Sequence, residues 1–78
     1  MWIYTQIGDI LIKVDNFKIL YENYRWYITS VIEGNIEKLG QYDNLSKAEI
    51  VLYQICTAIS HNINYYSMPS NREVLEDE

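Results

Sequence analysis

The chain has 78 residues, almost half of them hydrophobic, with one cysteine and a formal net charge of −5. This length allows one domain with a small core, and a lone cysteine excludes an internal disulfide or a cysteine-rich zinc site. Glu73, Glu76, Asp77 and Glu78 are four of the eleven acidic residues, so residues 1–72 carry seven acidic and six basic side chains. This near-neutral body argues against a broad basic surface for nucleic acid.

Short β-strand patterns fill the first half of the chain. They cover residues 2–6, 10–14, 17–22, 25–32 and 35–42. Turn-forming pairs separate them, at Gly8-Asp9, Asp15-Asn16, Asn23-Tyr24 and Glu33-Gly34. Such pairs favour the left-handed backbone of tight reversals, and Gly40 indicates a bulge in the last strand.

From Asn44 onward the hydrophobic period changes from two to about 3.6, which predicts a helix. Asn44 is the predicted N-cap, Ser46-Lys47-Ala48-Glu49 is a competing capping box, and the helix is predicted to end near Ile63. The stripe expected on the sheet, centred on Leu52 and Ile59, consists of Ala48, Val51, Leu52, Ile55, Ile59 and Ile63.

The predicted fold class is α+β: an antiparallel β-sheet of four to five short strands packed against one C-terminal α-helix. Residues 1–69 are predicted to form this single domain. Residues 70–78 follow Pro69 and are predicted to form an acidic disordered tail.

The predicted helix lies in a stretch without charge, because residues 50–71 contain no Asp, Glu, Lys or Arg. A solvated face that lacks charge is one interpretation; a contact surface is the favoured one, because interfaces are depleted in charge and enriched in Tyr. One helix covers one sheet face, and Tyr4, Tyr27 and Val31 are expected on the other. A homo-oligomer, with a dimer favoured, is therefore predicted.

Eight tyrosines provide further contact candidates, since Tyr offers a large contact area at low entropic cost. The predicted partner-binding or oligomer-interface residues are Ile50, Tyr53, Gln54, Thr57, Tyr24, Tyr27, Tyr65 and Tyr66. Arg25 and Arg72, the only arginines, are expected either in surface ion pairs or as contacts to an anionic ligand.

No catalytic constellation is predicted. Cys56 and His61 lie about 140° apart around a helix and are interpreted as a core cysteine and a surface histidine. Three acidic residues flank one hairpin with no apolar pocket to shift their pKa values: Glu33, Glu37 and Asp43. No cofactor, no metal and no membrane segment are expected, and the lone cysteine favours a cytoplasmic location.

Three motifs, "GDILIKVDN", "LGQYDNLSKAEIVLYQICTAI" and "NYYSMP", resemble a loose set of small proteins from phages, prophages and other mobile elements of Gram-positive bacteria. The resemblance spans residues 3–69 and implies a short β-meander followed by a helix. This chain departs from the set at "LSKAEIVLYQI", where the helices of the set are usually richer in Glu and Lys.

The resemblance implies a non-enzymatic protein that binds and inhibits a host anti-phage defence protein, such as a CRISPR effector, through Tyr-rich neutral surfaces. Two alternatives stay open. One is an oligomeric sponge that sequesters a cyclic nucleotide immune signal, and the other is a structural or accessory phage protein.

Overall fold

The computed structural model describes residues 1–8 and 10–75. Its elements, in chain order, are β1 (Trp2–Tyr4), β2 (Leu11–Lys13), β3 (Lys18–Glu22), β4 (Arg25–Ile32), β5 (Asn35–Tyr42), α1 (Leu45–Ser60) and β6 (Tyr65–Ser67). The strands form two three-stranded sheets: sheet A, in the order β2-β1-β6, and sheet B, in the order β3-β4-β5. The predicted α+β class is confirmed, with six strands in two sheets where one sheet of four or five strands was predicted.

Sheet B is a meander closed by two tight turns. Asn23 and Tyr24 have φ values of 52° and 62°, and Glu33 and Gly34 have φ values of 52° and 83°. Two consecutive positive φ values fit the right-handed twist of the strands on either side. The predicted reversals at these pairs are confirmed. The predicted Gly8-Asp9 turn includes Asp9, which lies outside the described residues.

The pairing of β4 with β5 contains a register shift. Ile28 lies opposite Gly40, whereas the next residue, Thr29, lies opposite Lys38. Leu39 is thus the additional residue of a bulge, as the glycine at the next position predicted. Its side chain is buried.

Gln6 connects the two sheets at this bulge. Its backbone N–H donates to the carbonyl of Leu39 at 2.8 Å. Its side-chain oxygen accepts from the N–H of Gln41 at 2.8 Å, and its amide nitrogen donates to the carbonyls of Gln41 at 3.0 Å and Pro69 at 3.1 Å. One side chain therefore links sheet A, the edge of β5 and the segment after β6.

The helix begins where the sequence predicts. The Asn44 side chain accepts from the N–H of Lys47 at 2.8 Å, which makes Asn44 the N-cap. The helix ends at Ser60, before the predicted end at Ile63, and Asn62 adopts a left-handed φ of 60° just after it. Asn tolerates this conformation, which commonly terminates helices.

The buried stripe of α1 differs from the predicted one. Its buried residues are Ala48, Val51, Ile55 and Ala58. Ile59 is 49% exposed and Leu52 is half-buried, so the stripe is not centred on these two large residues. The two alanines at the buried positions leave room for the helix to lie close to the sheets, which a ranking of side chains by size does not anticipate.

The segment after the helix also packs on the domain. β6 pairs in parallel with β1, and Met68 and Val74 belong to the hydrophobic core at 6% exposure each. The side chain of Asn71 accepts from the N–H of Asp43 at 2.9 Å and donates to its carboxylate at 2.8 Å. The packed chain therefore extends past the predicted boundary at residue 69, and residues 76–78 of the predicted tail lie outside the described residues.

Candidate interaction surfaces

The outer side of sheet A carries a row of exposed aromatic residues. Strand pairing places Trp2 beside Lys13 and Tyr65, and Tyr4 beside Leu11 and Ser67. Directly paired residues point to the same side of a sheet, so these six side chains share one side, while Ile3 points inward and is fully buried. We call this surface the open face: Leu11, Lys13, Trp2, Tyr4, Tyr65 and Ser67.

The open face is apolar for its position. Trp2 is 42% exposed, Tyr4 41%, Leu11 46% and Tyr65 61%. Aromatic side chains have about 150–250 Å² each, so these four residues together present roughly 300–400 Å² of accessible surface. Lys13 contributes the only charge. Patches of this size are often functional on monomeric proteins, and Trp and Tyr are the commonest interface hot spots.

A groove lies between the second half of α1 and β6. Its volume is about 440 Å³, and it is lined by Gln54, Thr57, Ala58, His61, Ile63, Tyr65, Tyr66 and Ser67. Of these eight residues none is Asp, Glu, Lys or Arg. The Tyr66 hydroxyl donates to the side-chain oxygen of Gln54 at 2.6 Å. Burial raises the pKa of Tyr66 to about 12, so this hydroxyl is a neutral donor at physiological pH.

The groove brings together four of the predicted contact residues: Gln54, Thr57, Tyr65 and Tyr66. Tyr53 is 73% exposed on the solvent side of the helix, and Tyr24 is 83% exposed at the β3–β4 turn. The predicted contacts thus belong to separate surfaces rather than to one.

Ile50 and Tyr27 are not outward contact residues. Ile50 is half-buried and packs against the core. Tyr27 is half-buried in sheet B, where the ammonium group of Lys38 lies 4.4 Å from the centre of its ring. Lys38 also bonds Glu22 at 2.7 Å, and this hydrogen bond raises the pKa of Lys38. The predicted second apolar face is therefore divided: Tyr4 lies on sheet A, and Tyr27 and Val31 lie on sheet B.

The two arginines lie on different elements. Arg25 begins β4, and its guanidinium donates to the carbonyl of Tyr24 at 3.3 Å. Arg72 is exposed in the turn after β6. Neither belongs to the open face or to the residues that line the groove. Their predicted contact with an anionic ligand stays a prediction.

The predicted core position of the cysteine is wrong. Cys56 is exposed because the buried stripe of the helix lies on its other side. Within residues 1–8 and 10–75, no group of three or more His, Cys, Asp or Glu side chains could hold a metal ion. In the same part of the chain, no helix combines the length and the apolar character needed to cross a membrane.

Sequence reasoning missed Trp2, Leu11 and the strand β6. The alternation Trp2-Ile3-Tyr4 already separates two outward aromatic residues from one inward residue, and that signal could have identified half of the open face. β6 has only three residues and follows the helix, so no periodicity reveals it.

Comparisons with protein-family models, with curated proteins and with solved structures find no match for this chain. Function is therefore inferred from the chemistry of these surfaces.

Proposed function

We propose that this is a non-catalytic binding protein that contacts and inhibits a host anti-phage defence protein in the cytoplasm. Its tyrosine-rich, weakly charged surfaces provide the contact, with the open face as the main one. The observation that carries this proposal is the grouping of Trp2, Tyr4 and Tyr65, each at least 41% exposed, on one side of one sheet. Aromatic residues gain most when a partner removes them from water.

A folded protein suits the open face better than a nucleic acid does. Stacking platforms for single-stranded nucleic acid combine aromatic residues with a basic groove that follows the phosphates. Here Lys13 is the single basic residue of the face, and residues 1–72 carry more acidic than basic residues. A protein partner requires no such positive charge, because the apolar centre of an interface is itself depleted in charge.

The direction of the effect, inhibition of a defence protein, comes from the resemblance to small phage and mobile-element proteins. A domain of 9.3 kDa can block a larger protein simply by occupying a functional surface of it. An interface of standard size needs about 800 Å² per partner, roughly twice what the four exposed residues of the open face present. Neighbouring polar residues would supply the remainder as a rim.

The experiment is expression of the tagged protein in a bacterial host that carries a defined defence system, with phage plating and co-purification as readouts. Protection of the phage and recovery of the defence protein with the tag are expected. Tyr4→Glu should abolish both, because truncation of a hot spot alone lowers affinity by about 30-fold or more. Ile36→Glu is the matched control, since Ile36 is a 61% exposed strand residue on sheet B.

Equal loss of both effects in the two variants would contradict the assignment of the open face. Full defence in the presence of the wild-type protein, across systems that act on the phage tested, would count against the inhibitory function itself. Circular dichroism of both variants establishes that they remain folded.

A further inference from the structure

β6 is an open edge of sheet A. It lies at the end of the strand order, and its only partner among the described strands is β1. The carbonyl of Asn64 and the N–H of Met68 bond to the backbone of β1, at 2.7 and 3.0 Å. Because backbone groups alternate in direction along a strand, those of Tyr65 and Ser67 point away from β1. Two N–H groups and two carbonyls are thus available to another strand.

This edge has none of the features that usually protect one. Natural edge strands carry charged side chains, proline or bulges that prevent pairing with another chain. Residues 65–67 are Tyr, Tyr and Ser, and Tyr65 and Ser67 are both exposed. The adjacent groove is also uncharged. An added strand would meet free backbone groups on one side and a neutral helix surface below.

We propose that the occupant of this edge is β6 of a second copy of the chain, paired antiparallel across a two-fold axis at Tyr66. In that register Tyr65 of one copy exchanges both backbone hydrogen bonds with Ser67 of the other, and the symmetry repeats the pair. The two A sheets become one six-stranded sheet. The grooves of both copies close against each other, with Thr57 of each helix facing the axis.

Charge favours a second copy over a foreign strand. A two-fold interface places each group near its own counterpart, so a charged edge would repel itself. The groove and β6 contain no Asp, Glu, Lys or Arg. They are therefore self-compatible, and an acidic or basic peptide would find no complementary charge there.

The required area is also within reach. A stable interface buries about 800 Å² per partner, which is about one seventh of the 5525 Å² that this chain exposes. Tyr53, Ile63 and Tyr65 flank or line the groove at 73%, 47% and 61% exposure, so large side chains are available for burial. The two-fold axis is perpendicular to the sheet, so both open faces stay on the same side. This inference does not depend on the proposed function.

The test is the molar mass in solution by multi-angle light scattering at about 100 μM, where a dimer with a Kd of about 1 μM is almost fully formed. The expected mass is twice 9.3 kDa. Thr57→Lys should halve it, because it places two ammonium groups at the axis. Thr57 is exposed and Lys is a better helix former, so the variant should fold. The control is Cys56→Lys, about 100° around the helix.

A second variant acts on the backbone. Ser67→Pro removes an outward N–H while every bond from β6 to β1 is kept, so it should also give the monomer mass. Leu11→Pro makes the corresponding change on β2, the other edge of sheet A, and should leave the dimer intact. A wild-type mass of 9.3 kDa overturns the proposal. So does a dimer that persists in both Thr57→Lys and Ser67→Pro.

Discussion

Replacement of Gln6 by Glu tests how the two sheets are held together. The change preserves the shape of the side chain and its acceptor oxygen, which receives the N–H of Gln41 at 2.8 Å. It replaces the amide nitrogen, which donates to the carbonyls of Gln41 and Pro69, by a second oxygen. Two hydrogen bonds are lost, and a carboxylate oxygen then faces two carbonyl oxygens.

The magnitude follows from these contacts. Each lost hydrogen bond contributes about 0.5–1.5 kcal/mol net, and repulsion adds to the loss, while partial exposure of the site reduces both effects. We expect the free energy of unfolding to fall by about 2 kcal/mol at pH 7. For a domain of this size the melting temperature should then fall by about 8–16 °C.

The loss should depend on pH. The ionised carboxylate is disfavoured beside two carbonyls, so the pKa of the introduced carboxyl group in the folded Gln6→Glu variant lies above its unfolded value. The folded state then binds more protons, and stability lost at pH 7 is recovered as the pH falls towards about 4. A protonated carboxyl can also donate to one of the two carbonyls.

The measurement is thermal unfolding by circular dichroism at pH 7 and at about pH 4, with Gln41→Glu as the control. Gln41 is exposed, and only its backbone takes part in these bonds, so the control adds the same charge without the repulsion. Equal melting temperatures for the two variants at pH 7 would refute the proposed role of Gln6. A difference that grows on acidification would refute the assignment of the repulsion.

Three further predictions concern stability. Asn44→Ala removes the N-cap acceptor and should lower the free energy of unfolding by about 1 kcal/mol in a urea titration, whereas Asn44→Asp should change it little. Tyr24→Gly should raise stability by about 1 kcal/mol, because Tyr24 has a φ of 62° that costs a non-glycine residue energy; a loss of stability would instead show that its side chain packs. Above about pH 10 the protein should lose stability, because burial raises the pKa of Tyr66 to about 12 and that of Tyr42 further, so the unfolded state releases protons first. Melting temperatures between about pH 9 and 12, with absorbance of tyrosinate as a second readout, check this.

Local patterns in the sequence were sufficient for the elements and their turns. The period change at Asn44, the turn at Glu33-Gly34 and the bulge beside Gly40 each depend on a few adjacent residues, and the structure has all three. These features are set by capping, φ preference and strand register. They do not require knowledge of what lies across the fold.

The arrangement of the elements could not be predicted in the same way. The helix stripe depends on how closely alanines at positions 48 and 58 allow the sheets to approach, and β6 exists because β1 offers it an edge. Both are contacts between residues far apart in the chain. The groove shares this dependence, since four of its predicted residues come together only once β6 lies beside the helix.

The two sheets solve the same problem with opposite chemistry, and this contrast supports an interaction role for only one of them. Each sheet turns one side to the core and has another side to present outward. On sheet B, Lys38 covers the ring of Tyr27 and pairs with Glu22, so its apolar surface is screened by charge. On sheet A, Trp2 and Tyr4 have no such cover from Lys13 in any contact that the described residues make. Solubility alone would favour the first arrangement on both sheets. The exposed aromatic residues of the second are therefore best explained by a partner that covers them.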